Sequence, residues 1–347
     1  MEEAIVLYPS PPIGHLISMV EVGKLLLTQK PSLSIHILIT SVPYDSGSTA
    51  PYIANVAATI PSIKFHHLPT VTLPSTKTTH YEELTFEVLR LSNPHVREQL
   101  LSISKNYTIH GLVVDFFCCA ALNVAKELNI PGYHFSTSGA GILVVFHYFP
   151  TIHNTTTKSL KDLKEIAFGL ERSGHRFLWV VRNPPSDKKS VALSARPNID
   201  LDSLLPEGFL NRTKERGLVL KSWAPQVAVL NHPSVGGFVS HCGWNSVLEA
   251  VCAGVPLVAW PLYAEQRLNR IFLVEEMKLA LPMNESDNGF VSSAEVEERV
   301  LGLMESEEGK LIRERAIAMK IAAQAALNEG GSSRVALSQL VESWKDK

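Results

Sequence analysis

The sequence predicts an α/β protein of two doubly wound halves, and three observations predict it. Short apolar strands alternate with helical stretches in both halves; a polar cluster falls on a strand-to-helix turn around "HCGWNSVLEA"; the C-terminal part is helical throughout. Parallel sheets are expected because each strand is joined to the next through a helix.

"AIVLYP" is a strand, "PSPPIGH" a loop, "LISMVEVGKLLLTQ" a helix and "SLSIHILIT" a second strand, which makes one βαβ unit. "PSIKFHHLP" and "IHGLVVDFF" read as further strands, with helix in "YEELTFEVLRLSNPHVREQLLSIS" and in "CAALNVAKELNI". The second series runs helix "SLKDLKEIAFGLERSG", strand "HRFLWVVR", a polar loop from Asn183 to about Asn198, strand "GLVLKSW", helix "PQVAVLNH" and strand "GGFVS". A helix ending at Gly254 and the strand "VPLVAW" follow. "KLIRERAIAMKIAAQAALNE" is stopped by Gly330 and Gly331, and a last helix is expected to be capped by Ser332 or Ser333. Domain boundaries are expected at 1–158, 159–330 and 331–347, the last segment packing back on the first, and "TTTKSLKD" is the most linker-like stretch.

Composition limits the function classes. The 347 residues are 45% hydrophobic and 19% charged, enough for two cores at ~150 residues per domain. With 32 basic and 34 acidic side chains the net charge is -2, which favours neither nucleic acid nor an anionic membrane as partner. The start "MEEAIVLYPS" lacks a basic leader, and "GAGILVVFHYF" is shorter than the ~20 residues that span a bilayer, so a cytoplasmic protein without membrane insertion is expected. Cys118, Cys119, Cys242 and Cys252 form no C-x-x-C pair and read as free thiols. His36, His66, His67, His80, His95 and His110 lack metal-ligand spacing, so no metal is expected.

The cluster from His241 to Ala250 follows an apolar strand and opens a helix, whose unpaired N–H groups and positive dipole end suit an anion. Ser246-x-x-Glu249 also fits a capping box that merely closes the helix start, so both readings stand at this point. A second pair is His15, just after Gly14 at the start of the first helix, and Asp115, at the end of an apolar strand. A carboxylate on one ring nitrogen would fix the tautomer and leave the other to take a proton. A capping histidine and a buried, hydrogen-bonded aspartate are the structural alternatives.

From Trp223 to Gln266 the chain reads "WAPQVAVLNHPSVGGFVSHCGWNSVLEAVCAGVPLVAWPLYAEQ", which closely resembles the nucleotide-sugar signature of plant family-one UDP-glycosyltransferases. The resemblance extends to "LPEGFLNRTKERG", "GGSSRVALSQLVESW", "GHLISMVEVGKLL" and "VVDFF". It implies the two-Rossmann GT-B fold, with an N-terminal acceptor half and a C-terminal UDP-sugar half facing each other across a cleft. It further implies that Trp223 stacks on uracil and that Ala224 and Gln226 read the base edge and ribose. His241, Gly243, Trp244, Asn245 and Ser246 then surround the diphosphate, Glu249 accepts from the ribose, and Glu265 and Gln266 meet the sugar. Thr137 matches a position near the sugar, and His15 with Asp115 matches the catalytic dyad. The implied reaction is metal-free and cofactor-free: an inverting transfer of glucose from UDP-glucose to a flavonoid, isoflavonoid or related phenol, by a monomer.

The chain also departs from that family. Glu265-Gln266 stands where Asp-Gln is usual, and terminal Gln points to glucose. Between "TIHNTTTKSLKD" and "LKEIAFGLERSG" a long internal segment of the family is expected to be missing, including the first strand of the C-terminal half. A non-catalytic or decayed UDP-sugar-binding remnant is therefore the alternative function. An NAD-dependent oxidoreductase of the same fold class would need G-x-G-x-x-G after the first strand, and "PSPPIGH" lacks it.

Overall fold

The computed structural model describes residues 2–42, 49–73, 81–138, 160–181, 200–221, 223–262, 265–287 and 289–344. It divides into two compact units, Met1–Thr137 with Glu329–Lys347, and Ser138–Asn328. The expected boundary at 158/159, most of the linker-like stretch and the polar loop after Asn183 lie outside the described residues.

The first unit runs β1 (Glu2–Tyr8), α1 (Ile13–Gln29), β2 (Ser34–Ile39), α2 (Ala50–Thr59), β3 (Ile63–His67), α3 (Tyr81–Ile103), β4 (Tyr107–Asp115), α4 (Ala121–Glu127) and β5 (Gly132–Phe135). The sheet is wholly parallel in the order β3-β2-β1-β4-β5. Alternation along β1 sorts its side chains onto two cores. Ile5 and Leu7 join Ile35, Ile37 and the α1 residues Leu16, Met19 and Val20, whereas Val6 and Tyr8 join Leu38, Leu112, Val114 and the α3 residues Val96 and Leu100. Burial on both faces is what a parallel sheet requires, and it explains why β1 reads as a continuous apolar run. α3 continues through Pro94. α2 and β5 were not anticipated: β5 is a four-residue edge strand without an apolar run, so its pairing to β4 defines it.

The last helix belongs to this unit. Val341 near the end of the helix Ser332–Glu342, and Trp344 just past it, enter the core beside Leu7 and α1, and Trp344 Nε1 donates to Tyr133 Oη at 3.1 Å. Its N-cap is Gly331, with no side-chain cap, so neither Ser332 nor Ser333 caps it as expected; the helix starts one residue earlier and takes both serines into its first turn.

The second unit contains α5 (Leu160–Arg172), β6 (Phe177–Val181), α6 (Leu201–Leu204), α7 (Phe209–Arg212), β7 (Gly217–Lys221), α8 (Gln226–Leu230), β8 (Phe238–Ser240), α9 (Trp244–Ala253), β9 (Leu257–Ala259), α10 (Gln266–Ile271), β10 (Ala280–Pro282), α11 (Ser293–Glu305) and α12 (Glu307–Leu327), with α13 (Ser332–Glu342) after it. Among the described residues its strands form two separate parallel sheets, β6-β7 and β10-β9-β8. β9 is buried on both faces: Leu257 and Ala259 meet α9 and α12, while Val258 meets α11 through Val296 and Leu303. The β6-β7 pair is covered on one face by α5 and Phe209, but Leu178 and Leu218 on it are 40% and 54% exposed.

One polar chain crosses the first unit. Ser34 Oγ lies 3.1 Å from His36 Nε2, His36 Nδ1 lies 2.9 Å from His66 Nε2, and Gln99 Nε2 donates to His66 Nδ1 at 3.0 Å. Burial, then the His66 and Lys64 charges, push the His36 imidazole down from 6.5 to about 4, and burial with Lys64 lowers His66 as well. As pH falls through this window the unfolded chain takes up a proton that the folded chain refuses, so stability present above about 6.5 is lost toward about 4. The melting temperature is therefore expected to drop across that interval, and to drop less in His36→Gln; equal slopes in thermal melts would contradict this.

Candidate functional site

Each unit places its chemistry where a strand ends and a helix begins, the edge at which parallel sheets carry ligand-binding loops. In the first unit, β1 and β4 pair with Tyr8 opposite Val114, so the loop after β1 and Asp115 at the end of β4 lie side by side. Pro12 caps α1, and His15 sits in its first turn with its backbone N–H on Pro12 O at 3.0 Å. His15 Nδ1 lies 2.8 Å from Asp115 Oδ2, with Asp115 fully buried and the histidine side chain 24% exposed. The pair predicted from sequence is thus in contact across 100 residues of chain.

Asp115 is held from three directions. Ser10 Oγ donates to Oδ1 at 2.7 Å, and Phe117 N–H donates to the same oxygen at 3.3 Å where a short 3₁₀ turn begins. With both oxygens engaged the carboxylate cannot rotate away from His15, and Nδ1 is the ring atom it orients, leaving Nε2 as the proton acceptor. Phe117 presents its ring edgewise to the imidazole, centroids 5.8 Å apart. Thr137 Oγ1 lies 3.2 Å from His15 Nδ1, so in this structure Thr137 touches the dyad. Sequence reasoning missed Ser10; a hydroxyl in the loop after β1 was the available signal.

In the second unit, β8 leads through His241 and Cys242 into α9, whose N-cap is Gly243. The helix therefore starts at Trp244, two residues before Ser246, and its N-cap lies three before it, which removes the capping-box reading of Ser246 and Glu249. Both side chains instead meet Gln226 from the start of α8: Gln226 Nε2 donates to Ser246 Oγ at 2.9 Å and to Glu249 Oε2 at 2.6 Å. Trp223, just before α8, is 69% exposed, an indole standing in solvent where a planar base could stack. Ala224 is half-buried beside it.

Gly243 is required by space. Its φ is -60°, ordinary for any residue, but a Cβ there would collide with the His241 imidazole. The ring thus lies beside Gly243 at the start of α9, whose first N–H groups come from Gly243, Trp244, Asn245 and Ser246. Trp244 packs partly on the core formed by Val247 and Leu257. Burial pushes the Cys242 thiol up to about 12, so it stays protonated. Glu265 caps α10 through its backbone, and buried Gln266 accepts from Leu262 N–H at 2.8 Å. Among the described residues no group of three or more His, Cys, Asp or Glu is placed to hold a metal ion, and no helix is long and apolar enough to cross a membrane.

The family model described as UDP-glucoronosyl and UDP-glucosyl transferase matches residues 104–310. UDP-glycosyltransferase 88B1 of Stevia rebaudiana is 40% identical over an alignment of 466 positions that covers 99% of each chain. Isoflavone 7-O-glucosyltransferase 1 of Glycine max is 38% identical, with 99% of this chain and 100% of that one covered. Among solved structures, Phytolacca americana UGT2 complexed with UDP-2fluoro-glucose and pterostilbene superimposes with a TM-score of 0.84 at 28% identity, covering 99% of this chain and 100% of that one.

The close approach at α9 has a measurable consequence. Gly243→Ala is expected to displace the His241 ring and weaken UDP binding about 10-fold or more, the scale of one charge-assisted hydrogen bond. Calorimetry on the folded variant checks it, and an unchanged Kd would show that His241 does not serve the anion.

Proposed function

Because this chain belongs to the UDP-glucoronosyl and UDP-glucosyl transferase family, we propose that it moves glucose from UDP-glucose to a phenolic hydroxyl of a flavonoid, isoflavonoid or related plant phenol. Relatives named for isoflavone, anthocyanidin and phloretin glucosylation support the acceptor class, each 37 to 38% identical with 99% of this chain covered. The observation that carries the chemistry is the His15 Nδ1 to Asp115 Oδ2 contact of 2.8 Å. In this reading Nε2 of neutral His15 takes the proton of the phenol as its oxygen attacks the anomeric carbon. The bond from that carbon to the diphosphate oxygen breaks on the opposite face, so configuration inverts. Asp115 stabilises the imidazolium that forms, and UDP leaves against the N–H groups of α9 and His241, without a metal. A phenol with a pKa near ~10 is an easy proton to remove.

For the donor, exposed Trp223 supports stacking on uracil, and the Gln226, Ser246 and Glu249 cluster supports reading of base and ribose. Glucose is favoured by Gln266, which ends the signature. Relatives matched over nearly their whole length favour an enzyme over a decayed remnant. A cytoplasmic monomer is part of the same reading.

We further propose that the chain is a shortened form lacking an internal segment near residue 159. Two observations support it: the 466 aligned positions exceed the 347 residues of this chain, and among the described residues β6 and β8 each pair on one side only, in separate sheets. A central parallel strand between them would be bonded on both edges, and its absence fits the exposure of Leu178 and Leu218.

His15→Ala is expected to lower kcat by ~10²–10⁴-fold while UDP affinity stays unchanged, because the base and the nucleotide residues lie on different units. Wild-type turnover in that variant excludes the role. Inserting the corresponding segment of a relative is expected to raise both melting temperature and turnover; a short chain that matches the restored one in both has no strand to regain.

A further inference from the structure

Cys242 links His241 to Gly243 with φ at 64°, the left-handed region that side chains with a Cβ rarely occupy. It is fully buried, at the first turn of the proposed diphosphate cradle. Two groups hold it there. Ser240 Oγ accepts from Cys242 N–H at 3.2 Å, and Asn269 Nδ2 donates to Cys242 O at 2.9 Å from α10, a helix 27 residues further along the chain. Asn269 is itself 0% exposed, and its Oδ1 meets no hydrogen-bond partner among the described residues. A buried acceptor left unpaired is costly, so this amide is a poor choice for stability alone.

The peptide plane shows what the contact achieves. In a planar trans peptide the carbonyl and the next N–H point in opposite directions. Fixing Cys242 O on Asn269 therefore aims Gly243 N–H away from Asn269. That N–H belongs to the N-cap residue of α9, beside which the His241 ring lies. An apolar residue at 269 would leave Cys242 O without this donor and free the left-handed turn to relax toward the ordinary β or α region, turning the donor aside.

From this geometry we infer that Asn269 is a positioning residue for the phosphate donors of the nucleotide site, acting through the left-handed Cys242 turn. The inference rests on the reading that the start of α9 receives the diphosphate, and it adds a residue outside the Trp223 to Gln266 signature. Trp223, Gln226 and Glu249, which serve base and ribose in that reading, lie beyond the turn it controls.

The test compares UDP with uridine. Asn269→Leu keeps the volume, removes the donor, and also removes the unpaired Oδ1, so one buried unpaired acceptor replaces another and the melting temperature is expected to stay close to that of the parent. UDP affinity by calorimetry should fall about 10-fold or more while uridine binding by NMR titration is unchanged, because uridine has no phosphate for the turn to meet. Asn269→Ala, which cannot clash, is read the same way. UDP affinity equal to the parent, parallel loss of UDP and uridine, or failure of both variants to fold would each overturn the inference, the last by placing Asn269 in stability. Parent protein that binds no UDP would instead overturn the function on which it rests.

Discussion

The parallel pairing of β1 with β4 is the constraint on which the first site depends. Tyr8 opposite Val114 sets the register, and every consequence at the strand ends follows from it. Asp115 is the last residue of β4 and the loop after β1 begins one step away, so Ser10 and His15 meet the carboxylate without any long side chain having to reach. A one-residue slip would send Asp115 to the other face. Two cores, one on each face, oppose that slip, because Ile5 with Leu7 and Val6 with Tyr8 are each buried only in the observed register. Stability of the sheet and geometry of the dyad are therefore one property.

The second unit solves the same problem with a different economy of residues. Its strand ends at Ser240, and three residues, His241 to Gly243, turn the chain into α9. A left-handed cysteine and a capping glycine make so short a turn possible, and each is explained by a neighbour: Asn269 and Ser240 for Cys242, the His241 ring for Gly243. β9, buried on both faces, fixes β8 from one side only. The other edge of β8 has no strand among the described residues, so the turn rests on its helix packing and its side-chain hydrogen bonds more than on the sheet.

Polar groups buried in this protein divide by task. Ser10 and Asp115 are satisfied by one another and by His15 and Phe117 N–H, so the buried carboxylate is fully hydrogen-bonded. The His36 and His66 pair is satisfied as well, yet only while both rings are neutral, which makes the sheet carry a dependence on pH. Asn269 is only half satisfied among the described residues, its Nδ2 on Cys242 O and its Oδ1 unpaired, and it sits against the left-handed turn.

The sequence by itself determined the fold class, the order of most strands and helices, the signature from Trp223 to Gln266 and the places of His15 at a helix start and Asp115 at a strand end. Those are local or near-local properties: apolar period, Gly at φ near 73° after α9, and residue types at the ends of strands. What it left open needed contacts between distant segments. The short edge strand β5 and the three-residue β10 carry no apolar run long enough to declare themselves, and only their pairing makes them strands. The capping box and the ligand cluster were indistinguishable until the structure put the N-cap at Gly243 and brought Gln226 onto Ser246 and Glu249. Ser10 and Asn269 lacked any motif, because a positioning hydrogen bond depends on where two backbones pass in space, and only the tertiary structure decides that.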